Sequence, residues 1–123
     1  MDKILIIQDS PSINAMLKFR LGAGGFSVDS VETGELGVEK ANEGGYQLIL
    51  LDYNLPGMNG SQVCRILKKE EKTRHVPIVF MSSKDEEKLQ QITKEAGAEG
   101  YIGLPFEGKK FVEKIKEFIK AGR

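Results

Sequence analysis

The sequence has little cysteine and no surplus of charge of either sign. Its single cysteine, Cys64, has no partner for a disulfide within one chain, which favours a reducing, cytoplasmic setting. Lysine and arginine together number 18, as do aspartate and glutamate, so the chain lacks the basic surplus that an electrostatic nucleic-acid binder needs. We therefore expect a cytoplasmic protein that makes no direct contact with nucleic acid.

Long apolar runs are missing as well. The longest purely aliphatic stretches, such as residues 48–51, are far too short to span a bilayer. The first residues have neither the apolar core nor the cleavage site of a secretory signal. We expect no membrane insertion, and the 123 residues suit one ordinary domain, residues 1–123.

The chain does contain a regular alternation of short apolar runs and amphipathic stretches. Continuous apolar strands joined by helices predict a parallel sheet covered on both faces, in three layers. Right-handed crossovers favour a (βα)5 α/β fold of the flavodoxin-like kind, with strand order 2-1-3-4-5. The predicted strands are residues 4–7, 26–31, 48–51, 78–81 and 101–102.

Several helix starts carry local signals. Ser10 offers an N-cap before Pro11 at the first helical position, and Thr33 can cap the second helix. Ser83 with Glu86 three residues later predicts a capping box for the fourth helix.

Polar side chains follow the central strands where these end. Asp9 follows the first strand, Asp52 the third and Ser82 the fourth. In the order 2-1-3-4-5 the carboxyl ends of strands 1 and 3 flank the switch point, where ligands bind. Two carboxylates there repel each other unless a cation joins them, and Mg²⁺ prefers such oxygen ligands. A carboxylate beside Mg²⁺ can attack a phosphoryl group, so the pattern predicts an aspartyl-phosphate site.

Four segments, residues 4–11, 50–60, 77–83 and 100–106, resemble the response-regulator receiver domain of bacterial two-component signalling, which includes chemotaxis regulators. The most specific is the Asp-x-x-Leu-Pro-x-Met-x-Gly stretch that begins at Asp52. The resemblance covers the whole chain and implies the same sheet order, so the topology rests partly on it.

The resemblance implies a role for each matching position. Asp52 would accept a phosphoryl group from a histidine kinase or phosphotransfer protein. Asp9, Asp52 and the backbone carbonyl of Asn54 would bind Mg²⁺. Ser82 would be the switch hydroxyl, with the backbone of Ser83 nearby, and Tyr101 the aromatic that swings inward. A downstream protein, or a second copy forming a dimer, would use the face of the fourth helix, fifth strand and fifth helix. The domain would signal and would not act as an enzyme on a separate substrate.

Two positions depart from the receiver pattern. The family usually has a second acid where Gln8 stands and a lysine where Leu104 stands. Leucine cannot donate to a phosphoryl oxygen, whereas Gln8 could hold a metal-bound water in the outer shell. Losing an acid reduces the need for the lysine, so the two changes form a linked hypothesis. We expect the Leu104–Pro105 bond to be cis, as in the family, aiming residue 104 into the site.

Other interpretations remain beside this one. A degenerate receiver could act as an interaction module without phosphorylation. A flavodoxin is disfavoured because Pro11 removes an amide from the phosphate loop, and a haloacid-dehalogenase-type phosphatase because Asn54 stands where a second acid is needed.

Tyr101 could be a plain strand aromatic. Lys84 could lean towards the phosphate, although we favour a solvated lysine in the first helical turn. Cys64 fits a structural thiol, and His75 a surface residue.

Overall fold

The structure, a computed structural model, describes residues 1–123 as five strands alternating with five helices. None of these helices is both long and apolar enough to cross a membrane. The strands are β1 (Lys3–Ile7), β2 (Ser27–Val31), β3 (Leu48–Asp52), β4 (Ile78–Ser82) and β5 (Gly100–Gly103). The helices are α1 (Pro11–Ala23), α2 (Gly34–Asn42), α3 (Gly60–Lys69), α4 (Glu86–Ala96) and α5 (Gly108–Ala121).

The five strands form one parallel sheet in the order β2-β1-β3-β4-β5, which confirms the predicted fold class and topology. Ile7 of β1 is level with Leu51 of β3, so the residues that follow these two strands emerge side by side. Asp52 is level with Met81 on the other side. The carboxyl ends of β1, β3 and β4 therefore lie at one edge of the sheet.

Two apolar layers cover the sheet because successive strand side chains point to opposite faces. One core contains Leu5 and Ile7 with Leu51 and packs against α2, α3 and α4. The other contains Ile4 and Ile6 and packs against α1 and α5. Both faces of the central strands are buried, which is why their sequences are apolar throughout.

Two predicted helix caps are confirmed and one is wrong. The Ser10 hydroxyl accepts a hydrogen bond from the backbone N–H of Ile13, and Thr33 does the same at the start of α2. The helix α4 begins two residues later than a cap at Ser83 requires. Its N-cap is Asp85, whose carboxylate accepts from the N–H of Lys88 at 2.9 Å. Both residues are good caps, and an aspartate also complements the helix dipole.

Candidate functional site

Asp52 is the last residue of β3, and its surroundings hold it in place. The Asp52 carboxylate is half-buried and accepts a hydrogen bond from the backbone N–H of Asn54 at 3.2 Å. A Cβ on Gly60 would lie 2.8 Å from the Asp52 carbonyl oxygen. The loop after Asp52 thus needs glycine at residue 60, because α3 begins against the end of the strand.

The electrostatics of Asp52 link it to β1. Burial raises the pKa of the Asp52 carboxyl above its usual value, and the negative charge of Asp9 raises it further. The Asn54 N–H and the Gln8 side chain act in the opposite direction by hydrogen bonding to the carboxylate. Asp9 and Gln8 therefore lie close to Asp52, as the order of the strands requires.

Gln8 is almost fully buried and bonds to several neighbours. Its side-chain oxygen accepts from the N–H of Ser10 at 3.0 Å, and its backbone carbonyl accepts from the side-chain amide of Asn14 at 2.7 Å. An amide oxygen can only accept, so the Gln8 NH₂ group is the donor to the Asp52 carboxylate. The glutamine thus replaces an acid with a neutral donor beside the carboxylate.

The donor set around Asp52 fits Mg²⁺. Asp9 is exposed and its charge acts on Asp52, so two carboxylates lie near each other at this edge of the sheet. No group of three or more acidic, histidine or cysteine side chains exists here or elsewhere that could hold a metal. Mg²⁺ commonly takes one or two carboxylates and completes its shell with water and phosphate oxygens. With the carbonyl of Asn54, the two carboxylates would therefore be a sufficient protein contribution to a Mg²⁺ site.

Ser82 and Ser83 occupy different environments. Ser82 ends β4, is buried, and its hydroxyl accepts a hydrogen bond from the backbone N–H of Lys84 at 3.1 Å. Ser83 is exposed and lies before the helix, where it caps nothing. Ser82 thus lies at the same edge of the sheet as Asp52, with Lys84 fixed to its hydroxyl.

Tyr101 lies in β5 with its ring partly buried. Its hydroxyl donates to the Glu86 carboxylate at 3.0 Å and accepts from the side-chain amide of Gln90 at 3.2 Å. Two residues of α4 therefore hold the hydroxyl towards the helix. A groove of about 340 Å³ lies beside it, between α4 and α5. Its lining includes Lys84, Leu89, Tyr101, Phe106, Lys110 and Lys114.

Leu104 follows β5, and the bond between it and Pro105 is cis, as predicted. The Leu104 N–H donates to the Ser82 carbonyl at 2.8 Å. Its side chain lines a groove with Ile13 and Met16 of α1. Residue 104 therefore adds apolar surface at this edge of the sheet and supplies no cation.

The predicted position of Lys84, in the first turn of the fourth helix, is wrong. The residue precedes α4 and is not in the first turn of that helix. Its ammonium group lies 5.6 Å from the centre of the Tyr53 ring, directly after Asp52 in the chain, and forms no ion pair. No spacing rule marks this contact, because it depends on the path of the loop after β4.

Cys64 and His75 lie outside the site, in agreement with the sequence. Cys64 is fully buried in the core, and burial raises the pKa of its thiol to about 11. His75 is exposed beside Pro77, which precedes β4 and so lies at the opposite end of that strand. The thiol is structural and the histidine is a surface residue.

The chain is similar in sequence to receiver domains of known proteins. A family model of the response regulator receiver domain matches residues 4–116. The phosphate regulon transcriptional regulatory protein PhoB of Klebsiella pneumoniae is 36% identical over 118 residues, which cover 96% of this chain and 52% of PhoB. The chain thus spans about half the length of this relative.

Solved structures show the same architecture. The receiver domain of the sensor histidine kinase PA1611 of Pseudomonas aeruginosa, with a magnesium ion coordinated in its active site cleft, is 25% identical, with a TM-score of 0.89 and coverage of 97% of this chain and 98% of that one. The chemotaxis protein CheY4 of Vibrio cholerae has a TM-score of 0.89 at 24% identity, covering 96% and 98%. CheY4 therefore shares the fold.

Proposed function

The chain belongs to the response regulator receiver domain family, and on that premise we propose that Asp52 accepts a phosphoryl group from a histidine kinase or phosphotransfer protein. Receiver domains are signalling domains that work with histidine kinases and downstream effectors. We extend the proposal to the whole of residues 1–123 as one receiver domain in the cytoplasm.

The observation that carries the proposal is the closeness of Asp9 to Asp52 at the ends of adjacent strands. The charge of Asp9 acts on the Asp52 carboxyl, and Asp52 is half-buried yet reachable from solvent. A carboxylate in such a place is exposed enough to react, and its neighbour can share a cation with it. No other pair of acidic side chains follows the central strands.

The chemistry is a phosphoryl transfer to a carboxylate. An Asp52 oxygen attacks phosphorus, the new O–P bond replaces the P–N bond of phosphohistidine, and the histidine nitrogen leaves with the electron pair and takes a proton from solvent. Mg²⁺, bound by Asp9, Asp52 and the Asn54 carbonyl, would neutralise charge on the phosphoryl oxygens. The Ser82 hydroxyl and the Ser83 backbone amide then donate to the phosphoryl group.

The signal would reach the face formed by α4, β5 and α5. When the Ser82 hydroxyl turns from the Lys84 N–H to the phosphoryl group, Tyr101 can leave Glu86 and Gln90 and move inward. The groove between α4 and α5 changes shape with Tyr101, because the ring lines it. We propose this face as the contact for a downstream protein or for a second copy in a dimer.

The test is incubation with Mg²⁺ and a small phosphodonor, followed by intact mass measurement. We expect a gain of one phosphoryl group, lost in Asp52→Asn and on chelation of Mg²⁺. Asp2→Asn is the matched control, because Asp2 precedes β1 and so lies at the opposite end of the sheet, and it should be modified like the original chain. A chain that never gains the group would favour an interaction module that works without phosphorylation.

A further inference from the structure

The edge of the sheet beside Asp52 lacks the cation that a phosphoryl group needs. Residue 104 is leucine, and no positive charge contributes to the pKa of Asp52. A phosphoryl group carries about 1.5–2 negative charges at neutral pH, whereas the carboxylate that it modifies carries one. A phosphoryl group placed on Asp52 would therefore attract any mobile ammonium group within reach.

Lys84 is the lysine in the loop that leaves this edge of the sheet after β4. In the unmodified protein its backbone N–H is bonded to the Ser82 hydroxyl. Lys84 lies only two residues after Ser82, the last residue of β4, so the start of its side chain stays at the same edge as Asp52 when that hydroxyl turns to a phosphoryl group. Its ammonium group lies over the ring of Tyr53, the residue next to Asp52, and forms no ion pair with a carboxylate. The four-carbon stem of lysine turns freely, so only the weak cation–π contact has to break for the ammonium group to move.

We propose that Lys84 supplies the missing cation: its ammonium group leaves the Tyr53 ring and hydrogen-bonds a phosphoryl oxygen on Asp52. The proposal rests on the proposed phosphorylation of Asp52. A charge-assisted hydrogen bond to phosphate is stronger than a cation–π contact at a partly exposed ring. Movement of the ammonium group from the ring to the phosphoryl oxygen is therefore favourable once Asp52 is phosphorylated.

This role also explains how a leucine is tolerated at residue 104. The cation comes from the loop after β4 in place of the loop after β5, and these two strands are neighbours in the sheet. The Leu104 N–H and the Lys84 N–H both bond to Ser82, to its carbonyl and its hydroxyl. The two loops therefore lie on either side of the same residue, and either could present a lysine to the site.

The experiment measures the affinity of the whole chain for beryllofluoride with Mg²⁺, since this complex mimics a phosphoryl group on a carboxylate. We expect Lys84→Gln to weaken binding about ten-fold, the size of one charge-assisted hydrogen bond. Lys84→Arg should largely retain binding. Lys88→Gln is the matched control, because Lys88 is an exposed lysine on the next helix and should change affinity by less than about two-fold. Adding Leu104→Lys to the Lys84→Gln variant should restore its affinity for beryllofluoride.

A second readout follows Lys84 directly. In the free protein the NMR signals of its ε-methylene protons should lie upfield of those of Lys88, because the Tyr53 ring is beneath them. Beryllofluoride should return them to the position of a solvated lysine. Binding by Lys84→Gln as tight as that of the original chain, or signals that do not move, would overturn the role of Lys84 alone. An original chain that neither binds beryllofluoride nor gains a phosphoryl group would overturn the proposed function, and this role with it.

Discussion

At the scale of single residues, the Asp52 carboxylate is in an unfavourable place before any ligand arrives. Burial and the charge of Asp9 both raise its pKa, and only the Asn54 N–H and Gln8 oppose them. When the pKa of an acid is higher in the folded chain than in the unfolded chain, ionisation of that acid lowers the free energy of unfolding. The ionised Asp52 carboxylate therefore destabilises the folded state, and a bound cation or modification of the carboxylate can relieve this destabilisation.

This cost predicts the effect of Asp52→Asn on stability without metal. The substitution should raise the free energy of unfolding at neutral pH by up to about 1 kcal/mol, since it removes a partly solvated carboxylate and its repulsion with Asp9. The gain should fade as pH falls through the raised pKa of the folded chain towards 3.8, and should be absent well below 3.8, where Asp52 is protonated in both the folded and the unfolded chain. Urea unfolding across this pH range measures it. Asp52→Asn that is less stable at neutral pH would contradict this reading.

Gln8 and Leu104 depart from the family pattern together, which suggests that they depend on each other. A lysine at residue 104 would meet only two carboxylates, whereas Gln8→Asp supplies a third. We expect Leu104→Lys alone to change the free energy of unfolding of the metal-free protein more than Leu104→Lys combined with Gln8→Asp does. The coupling between the two substitutions should be about 0.5–3 kcal/mol. Thermal and urea unfolding of the two single variants and the double variant measure the coupling. Strictly additive effects would show that the two positions are independent.

At the scale of secondary-structure elements, α4 holds Tyr101 through Glu86 and Gln90. These two hydrogen bonds join the helix to β5 at the groove where a partner is proposed to bind. Because the contacts are exposed, each is worth little to overall stability, on the order of 0.5–1.5 kcal/mol. Their effect should be on the position of the ring.

Removing one of these contacts should therefore shift the ring without unfolding the protein. We expect Glu86→Ala to broaden or shift the NMR signals of the Tyr101 ring before any phosphoryl mimic is added, with a melting temperature close to that of the original chain. Glu87→Ala is the matched control, because Glu87 is also an exposed acid of α4 and makes no contact with Tyr101. Equal Tyr101 spectra in both variants would show that the hydrogen bond to Glu86 does not position the ring.

The start of α4 shows where local sequence signals are insufficient. The Ser83 and Glu86 pair fits a capping box, and Asp85 fits an N-cap equally well. The structure uses Asp85 because the loop after β4 continues past Ser83, with the Lys84 N–H bonded to Ser82. Which cap forms depends on how the loop leaves the sheet, and this is not written in the neighbouring residues.

At the scale of the whole molecule, the fold follows from the sequence with few assumptions. Five apolar runs joined by amphipathic helices allow a parallel sheet, and the resemblance to receivers selects one strand order. The closeness of Asp9 to Asp52 then follows, because the strands before them are neighbours. The side-chain arrangement does not follow: the engaged oxygen of Gln8 and the position of Lys84 over Tyr53 depend on loop conformations and on contacts between distant segments.

The most direct test of the account locates the modified residue. After incubation with Mg²⁺ and a small phosphodonor, borohydride reduces an aspartyl phosphate to homoserine, and peptide mapping shows where that change lies. The account predicts homoserine at residue 52 alone, and none when Mg²⁺ is withheld. Reduction at another aspartate, or no homoserine anywhere in a chain that is folded and supplied with Mg²⁺, would contradict it.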